Sequence, residues 1–171
     1  MNPGVKRFVL IFSLFAALAA PIFAANLYIL VAETGGGTEE PSGERRDAEF
    51  ESSFLWETCL LDVFFETGHV VSNAPALSLD GSEVLDAEFA EARSGGADYV
   101  VAALLDYPAA ADRQARPERV SLRVYRLEPY RCVYEWTGSL DPDGRNAGAL
   151  TESETGQAKR LIRGLIPHIE G

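Results

Sequence analysis

Apolar positions along this chain recur at three different spacings, and each spacing predicts a different element. An almost unbroken apolar run covers Phe8 to Ala25, relieved only by Ser13 and Pro21. A shorter run, Leu27 to Ala32, reads as a strand buried on both faces. From Asp47 to Glu66 the spacing becomes helical. Phe50, Phe54, Trp56, Leu60, Leu61, Val63, Phe64 and Phe65 fill most of the circumference, and Glu51, Thr58, Asp62 and Glu66 form one narrow polar stripe. Asp47 is placed to cap this helix and Gly68 to end it. The apolar arc is wider than a helix resting on one sheet face requires. Either neighbouring elements cover it, which is the favoured reading, or part of it is a partner surface.

His69 to Ser72 predicts a short second strand, followed by a Pro/Asp/Gly-bearing connection from Asn73 to Gly81. Ser82 caps a helix from Glu83 to Arg93 with Val84, Leu85, Phe89 and Ala90 on its apolar side, stopped by Ser94-Gly95-Gly96. Ala97 to Asp106 is apolar on both alternating faces, which marks a central strand. Arg119 to Leu127 and Tyr130 to Thr137 then alternate as a hairpin around Glu128-Pro129, with Pro129 expected at the second position of a type I turn. Strict alternation assigns Val120, Leu122, Val124 and Val133 to one hairpin face. It assigns Arg123, Tyr125, Leu127, Cys132, Tyr134 and Trp136 to the other. Thr151 and Glu154 suit a capping box for a last helix reaching about His168, with Ala158, Leu161, Ile162, Leu165, Ile166 and Ile169 at helical spacing. The order β-α-β-α-β-β-β-α predicts an α/β fold, a single-layer mixed sheet with helices packed on it.

The first apolar run has a cationic start (Lys6, Arg7) and a small-residue exit (Ile22-Phe23-Ala24-Ala25-Asn26), the pattern of an export signal. Residues 1–25 are therefore read as a signal peptide, cleaved after Ala24 or Ala25, and residues 26–171 as one α/β domain with a mobile loop at 33–46. The alternative is an uncleaved N-terminal anchor, since Asn26 to Ala32 carries the apolar stretch past the roughly 20 residues a membrane span needs. The expected location is periplasmic or extracellular, with membrane contact only through the leader if it is retained. Leader removal takes two of 15 cations and none of 26 acids, so the net charge moves from −11 to −13. Such a surface repels nucleic acid and anionic headgroups. Cys59 and Cys132 are either a disulfide, in an oxidising compartment, or two buried thiols.

Ala90-Glu91-Ala92-Arg93-Ser94-Gly95-Gly96-Ala97-Asp98-Tyr99-Val100-Val101, then Val120-Ser121-Leu122-Arg123-Val124-Tyr125 and Cys132-Val133-Tyr134-Glu135-Trp136, resemble a recurrent bacterial cell-envelope α/β domain. It is the domain of penicillin-binding-protein activator lipoproteins, the periplasmic part of the curli secretion channel and the TolB amino-terminal domain. The resemblance covers about Leu27 to Ile169 and rests on structural motifs. It implies a non-catalytic domain that docks onto envelope proteins or assembles into rings. This chain lacks the acylated cysteine of the lipoprotein members, and no functional residue carries over.

The residues themselves point away from catalysis. The glycines of Glu33 to Arg46 lack the Gly-Lys-Ser/Thr of a phosphate loop and sit among acids. His69 and His168 have no metal-ligand partner at helical spacing. Asp141, Asp143 and Asn146 read as a turn, because glycine falls at the fourth position instead of the sixth that a calcium loop needs. Ser94 follows a helix, the wrong context for an activated serine. No enzyme activity, cofactor or metal is expected. The expected function is protein–protein contact in the cell envelope, with an envelope protein or cell-wall component as partner. One alternative is a glycan- or peptidoglycan-binding module gripping its ligand with Arg123, Tyr125, Tyr134 and Trp136 on one hairpin face. A hydrolase whose site leaves no sequence signature is the other.

Overall fold

The computed structural model describes residues 24–34, 43–74, 77–78, 82–107, 116–140 and 153–169. Its elements are β1 (Asn26–Thr34), α1 (Gly43–Glu66), β2 (Val70–Asn73), β3 (Leu77–Ser78), α2 (Ser82–Ser94), β4 (Tyr99–Asp106), β5 (Arg119–Arg126), β6 (Arg131–Ser139), α3 (Glu154–Arg163) and α4 (Ile166–Ile169). They form one mixed sheet in the order β2-β1-β4-β5-β6, with β3 also paired to β1. Strands β1 to β4 are parallel, and β5 and β6 extend the sheet as an antiparallel hairpin. The α/β class expected from the apolar spacing is the class observed.

The centre of the sheet is the parallel pair β1–β4, in register from Leu27 opposite Tyr99 to Thr34 opposite Asp106. Each strand is apolar on both sides, so each side needs a cover. On one face Leu27, Ile29, Val31, Val101, Ala103 and Leu105 pack with Trp56, Leu60, Val63 and Phe64 of α1 and with Ala158 and Ile162 of α3. On the other face Tyr28, Leu30, Val100 and Ala102 pack with Phe89 and Ala92 of α2. The chain leaves β1 toward β2 through α1, then crosses back over β1 to β4 through α2. Crossovers of one hand that run in opposite directions place their helices on opposite faces.

Both long helices end as their glycines predict. Gly68 (φ 85°) and Gly96 (φ 77°) take the left-handed conformation that L side chains avoid. The Gly68 and His69 amides donate to Phe65 and Phe64, and the Gly96 and Ala97 amides donate to Arg93 and Ala92. These are two Schellman closures.

Other local expectations are corrected. Helix α1 starts at Gly43, so Asp47 is an exposed helical residue instead of a cap, and Glu33 and Thr34 belong to β1. Residues 43–46 of the expected loop are helical, as the first turn of α1, while residues 35–42, the leader up to Phe23 and the Asp141–Asn146 turn lie outside the described residues. The connection after β2 contains β3, and on α2 Ala92 packs inward while Ala90 is exposed. Ser153, not Thr151, caps α3, its hydroxyl accepting the Gly156 amide at 3.2 Å. The last helix is two pieces, because the chain turns at Gly164 before Pro167 enters α4. The Glu128–Pro129 peptide is cis, and Leu127 to Tyr130 make the hairpin turn. Cys59 is a buried thiol in the core and Cys132 an exposed one on β6, so neither sequence reading of the pair holds.

Trp56 is fully enclosed between α1, the sheet and α3, and donates its indole N–H to Glu154. Trp56→Ala is expected to lower unfolding stability by about 3–5 kcal/mol in urea titrations. A loss below about 1 kcal/mol would mean that this side chain does not anchor α1 to the sheet.

Candidate functional site

The four residues expected to share a hairpin face do not share one. In the β5–β6 ladder Val124 lies opposite Tyr134 and Leu122 opposite Trp136, while Arg123 lies opposite Glu135 and Tyr125 opposite Cys132. The register shift at Val124/Tyr125 is a β-bulge in which Val133 and Tyr134 together face one partner residue. Val133, Tyr134 and Trp136 consequently all pack against the α1–α3 core. His168 of α4 lies over Tyr134 with ring centroids 4.2 Å apart. Trp136 rests its ring over Gly138, where an added Cβ would come within 2.5 Å of the indole. Arg123 and Tyr125 occupy the opposite face. Arg123 pairs with Glu135 at 2.8 Å.

On that opposite face the fold assembles an aromatic group that alternation did not reveal. Phe89 of α2 meets Tyr125 edge-on at 5.0 Å and Tyr130 edge-on at 5.6 Å, and the two tyrosine rings are parallel. Arg93 places its guanidinium 5.2 Å from the Tyr130 centroid. Burial pushes the Tyr125 phenol above its ordinary value. Tyr130 is 55% exposed and is the outermost member of the group. It comes from the turn and Phe89 from a helix 41 residues earlier, so no local spacing links them.

At the carboxyl ends of β1 and β4, where open α/β sheets commonly hold ligands, the side chains bind one another. Ser53 donates to Glu33 at 2.7 Å. With its one proton used there, Ser53 accepts from Tyr107 at 3.2 Å, a phenol also 3.3 Å from the Glu49 carbonyl. Glu154 accepts from Ser52 at 2.8 Å and from Trp56 at 3.2 Å, and lies 3.7 Å from Arg116. Ser53 has no solvent access. This network fastens α1 to β1, β4 and α3. Both histidines lie elsewhere: His69 accepts the Ala25 amide at 3.2 Å, and His168 packs on Tyr134. Among the described residues no three His, Cys, Asp or Glu side chains converge as metal ligands.

The outer side of α1 is the largest departure from the favoured reading of full burial. Phe50, Phe54 and Phe65 are 62%, 59% and 77% exposed, and Val70 on the edge strand β2 is 60% exposed. At about 100° per residue Phe50, Phe54, Leu61 and Phe65 fall within an arc of about 60°. The stripe runs about 22 Å along the helix. Glu51 and Asp62 flank it on one side and Glu57 on the other.

Burial holds the Tyr107 phenol up at about 12, against 10.0 for a free tyrosine. The neutral phenol stabilises the fold fully below about pH 10, and that contribution is lost as pH rises toward 12. Between these limits the native protein is expected to lose about 2–3 kcal/mol more than a Tyr107→Phe variant, read from urea midpoints at each pH. Parallel pH curves for the two proteins would show that the phenol is not held neutral.

No protein-family model matches this chain, and no curated protein matches it in sequence. Among solved structures the chain is similar to the PelC dodecamer from Paraburkholderia phytofirmans at 19% identity and a TM-score of 0.46, over 87% of this chain and 91% of that one. It is similar also to a second crystal form of the PelC dodecamer from Paraburkholderia phytofirmans, carrying one Leu-to-Met change, at 19% identity and a TM-score of 0.44, over 87% of this chain and 93% of that one.

Proposed function

We propose that this chain is an exported, non-catalytic cell-envelope domain that acts by protein–protein contact through the outer face of α1. The observation that carries the reading is the row of exposed phenylalanines, Phe50, Phe54 and Phe65, along one face of a 24-residue helix. Three exposed aromatic rings in one stripe cost solubility unless something covers them. The apolar leader supports the export part of the reading, and the core-bound carboxylates and hydroxyls support the non-catalytic part.

Charge selects the partner. Glu51 and Glu57 flank the stripe in a chain whose net charge is −11, while Asp62 is paired with Lys159 at 3.0 Å. A second copy would bring the same acids against this rim and be repelled. The complementary surface is an apolar patch bordered by lysine or arginine on a different protein.

A photo-crosslinking residue at Phe54 in the exporting cell is expected to yield one discrete heterologous adduct. Phe65→Glu should remove it, while Tyr130→Ala should leave it intact. With the purified partner, Phe65→Glu is expected to weaken binding by about thirtyfold, and added salt should weaken binding further. An adduct at twice the mass of this chain, or one indifferent to Phe65→Glu, would refute the reading.

A second reading, cell-wall glycan binding, rests on Tyr130, exposed at the edge of the Phe89–Tyr125–Tyr130 group beneath Arg93. Co-sedimentation with purified sacculi that falls about tenfold in Tyr130→Ala would support it. Equal sedimentation of the two proteins would remove it.

A further inference from the structure

Where the leader meets the domain, the backbone is already part of the fold. The Ala25 amide donates to Nδ1 of His69 at 3.2 Å, and the Ala25 carbonyl accepts the Val70 amide at 3.0 Å. The Asn26 amide donates to Oδ2 of Asp98 at 2.8 Å, and the Asn26 carbonyl accepts the Asp98 amide at 2.8 Å. Ala24, one residue earlier, is exposed.

The end of α1 places His69 for this contact. Its amide closes the turn at Gly68 by donating to Phe64, and the Phe64 ring meets the imidazole edge-on with centroids 6.0 Å apart. His69 is 4% exposed. Because Nδ1 accepts, the neutral ring carries its proton on Nε2. A buried and oriented acceptor is therefore fixed against the nitrogen of Ala25.

The two leader cuts that the sequence allows leave different products. The Ala25–Asn26 peptide is bonded on both sides, by Val70 at its carbonyl and by Asp98 at its amide, so folding withdraws it from a protease that must grip extended backbone. A cut there would also discard the donor to a buried imidazole and the acceptor for Val70. A cut after the exposed Ala24 keeps all four bonds.

We propose that the leader is removed between Ala24 and Ala25, and that Nδ1 of His69 captures the α-amino group so created. The inference rests on the export reading above. The cut is a hydrolysis by a membrane-bound signal peptidase. Water adds at the Ala24 carbonyl and the C–N bond to Ala25 breaks. The leader keeps the carboxylate, and the Ala25 amine takes up a proton. The ammonium then donates to Nδ1 where the amide did. Asp98, whose carboxylate lies 2.8 Å from the next backbone nitrogen, adds a negative charge beside it.

The test uses the full chain expressed in an exporting cell. Intact mass and amino-terminal sequencing of the recovered protein are expected to give a chain that begins Ala25-Asn26-Leu27. An exported protein that begins at Asn26, or that keeps its leader, would overturn the inference and leave export standing. A leader-bearing protein found only in the cytoplasm would overturn both. Capture is read on the recovered protein, whose amino terminus should react with acetic anhydride about tenfold more slowly than that of the free peptide Ala-Asn-Leu. Nitrogen NMR should show His69 Nδ1 as a hydrogen-bonded acceptor, with its resonance moved in a chain made to begin at Asn26. Equal reactivity with the free peptide, or one Nδ1 resonance common to both chains, would overturn the capture.

Discussion

The structure depends on one constraint: β1 and β4, side by side at the centre of the sheet, are greasy on both faces. Their backbone groups satisfy each other through the parallel ladder, and their side chains must then be covered from above and below. A single helix layer cannot do this. Helix α2 takes one face, and α1 with α3 takes the other. Every other feature is arranged around that demand, including the exposed stripe on α1. A 24-residue helix carrying apolar residues on most of its circumference can turn only one side toward the sheet.

The second organising event is the bulge in β6. Side chains alternate along a regular strand, so one extra residue reverses the facing of everything beyond it. In this hairpin it sends Tyr134 and Trp136 into the layer beneath α3 and α4 and leaves Arg123, Tyr125 and Cys132 on the α2 side. The aromatic material is thereby divided. Part of it completes a core, and Tyr125 combines with Phe89 and Tyr130 into a different surface group. Gly138 belongs to the same device, since the Trp136 ring occupies the space a side chain there would fill.

Polar groups are used differently at the two ends of the sheet. At the carboxyl end, buried hydroxyls, Trp56 and two glutamates consume each other's hydrogen bonds and tie α1 to β1 and α3. A buried network of this kind specifies a unique helix position because each unmet partner would be costly. At the amino end, Arg93 and Arg126 are stacked on tyrosines with no described acid paired to them.

The sequence by itself determined the elements and their class. Double-sided apolar runs identified both central strands, helical spacing identified α1 and α2, and Gly68 and Gly95-Gly96 marked their ends. All of these depend on local periodicity and local backbone conformation. Which side of α1 meets the sheet was not legible, because Phe50, Phe54 and Phe65 are chemically equal to Phe64 and only the packing of α3 and the sheet distinguishes them. The facing of Tyr134 and Trp136 was misread because a bulge leaves no mark in an alternating pattern. The Phe89–Tyr125–Tyr130 group and the Ala25–His69 contact join residues far apart in the chain. Tertiary structure alone decided those, since proximity between distant segments follows from strand order and register, which no short-range spacing encodes.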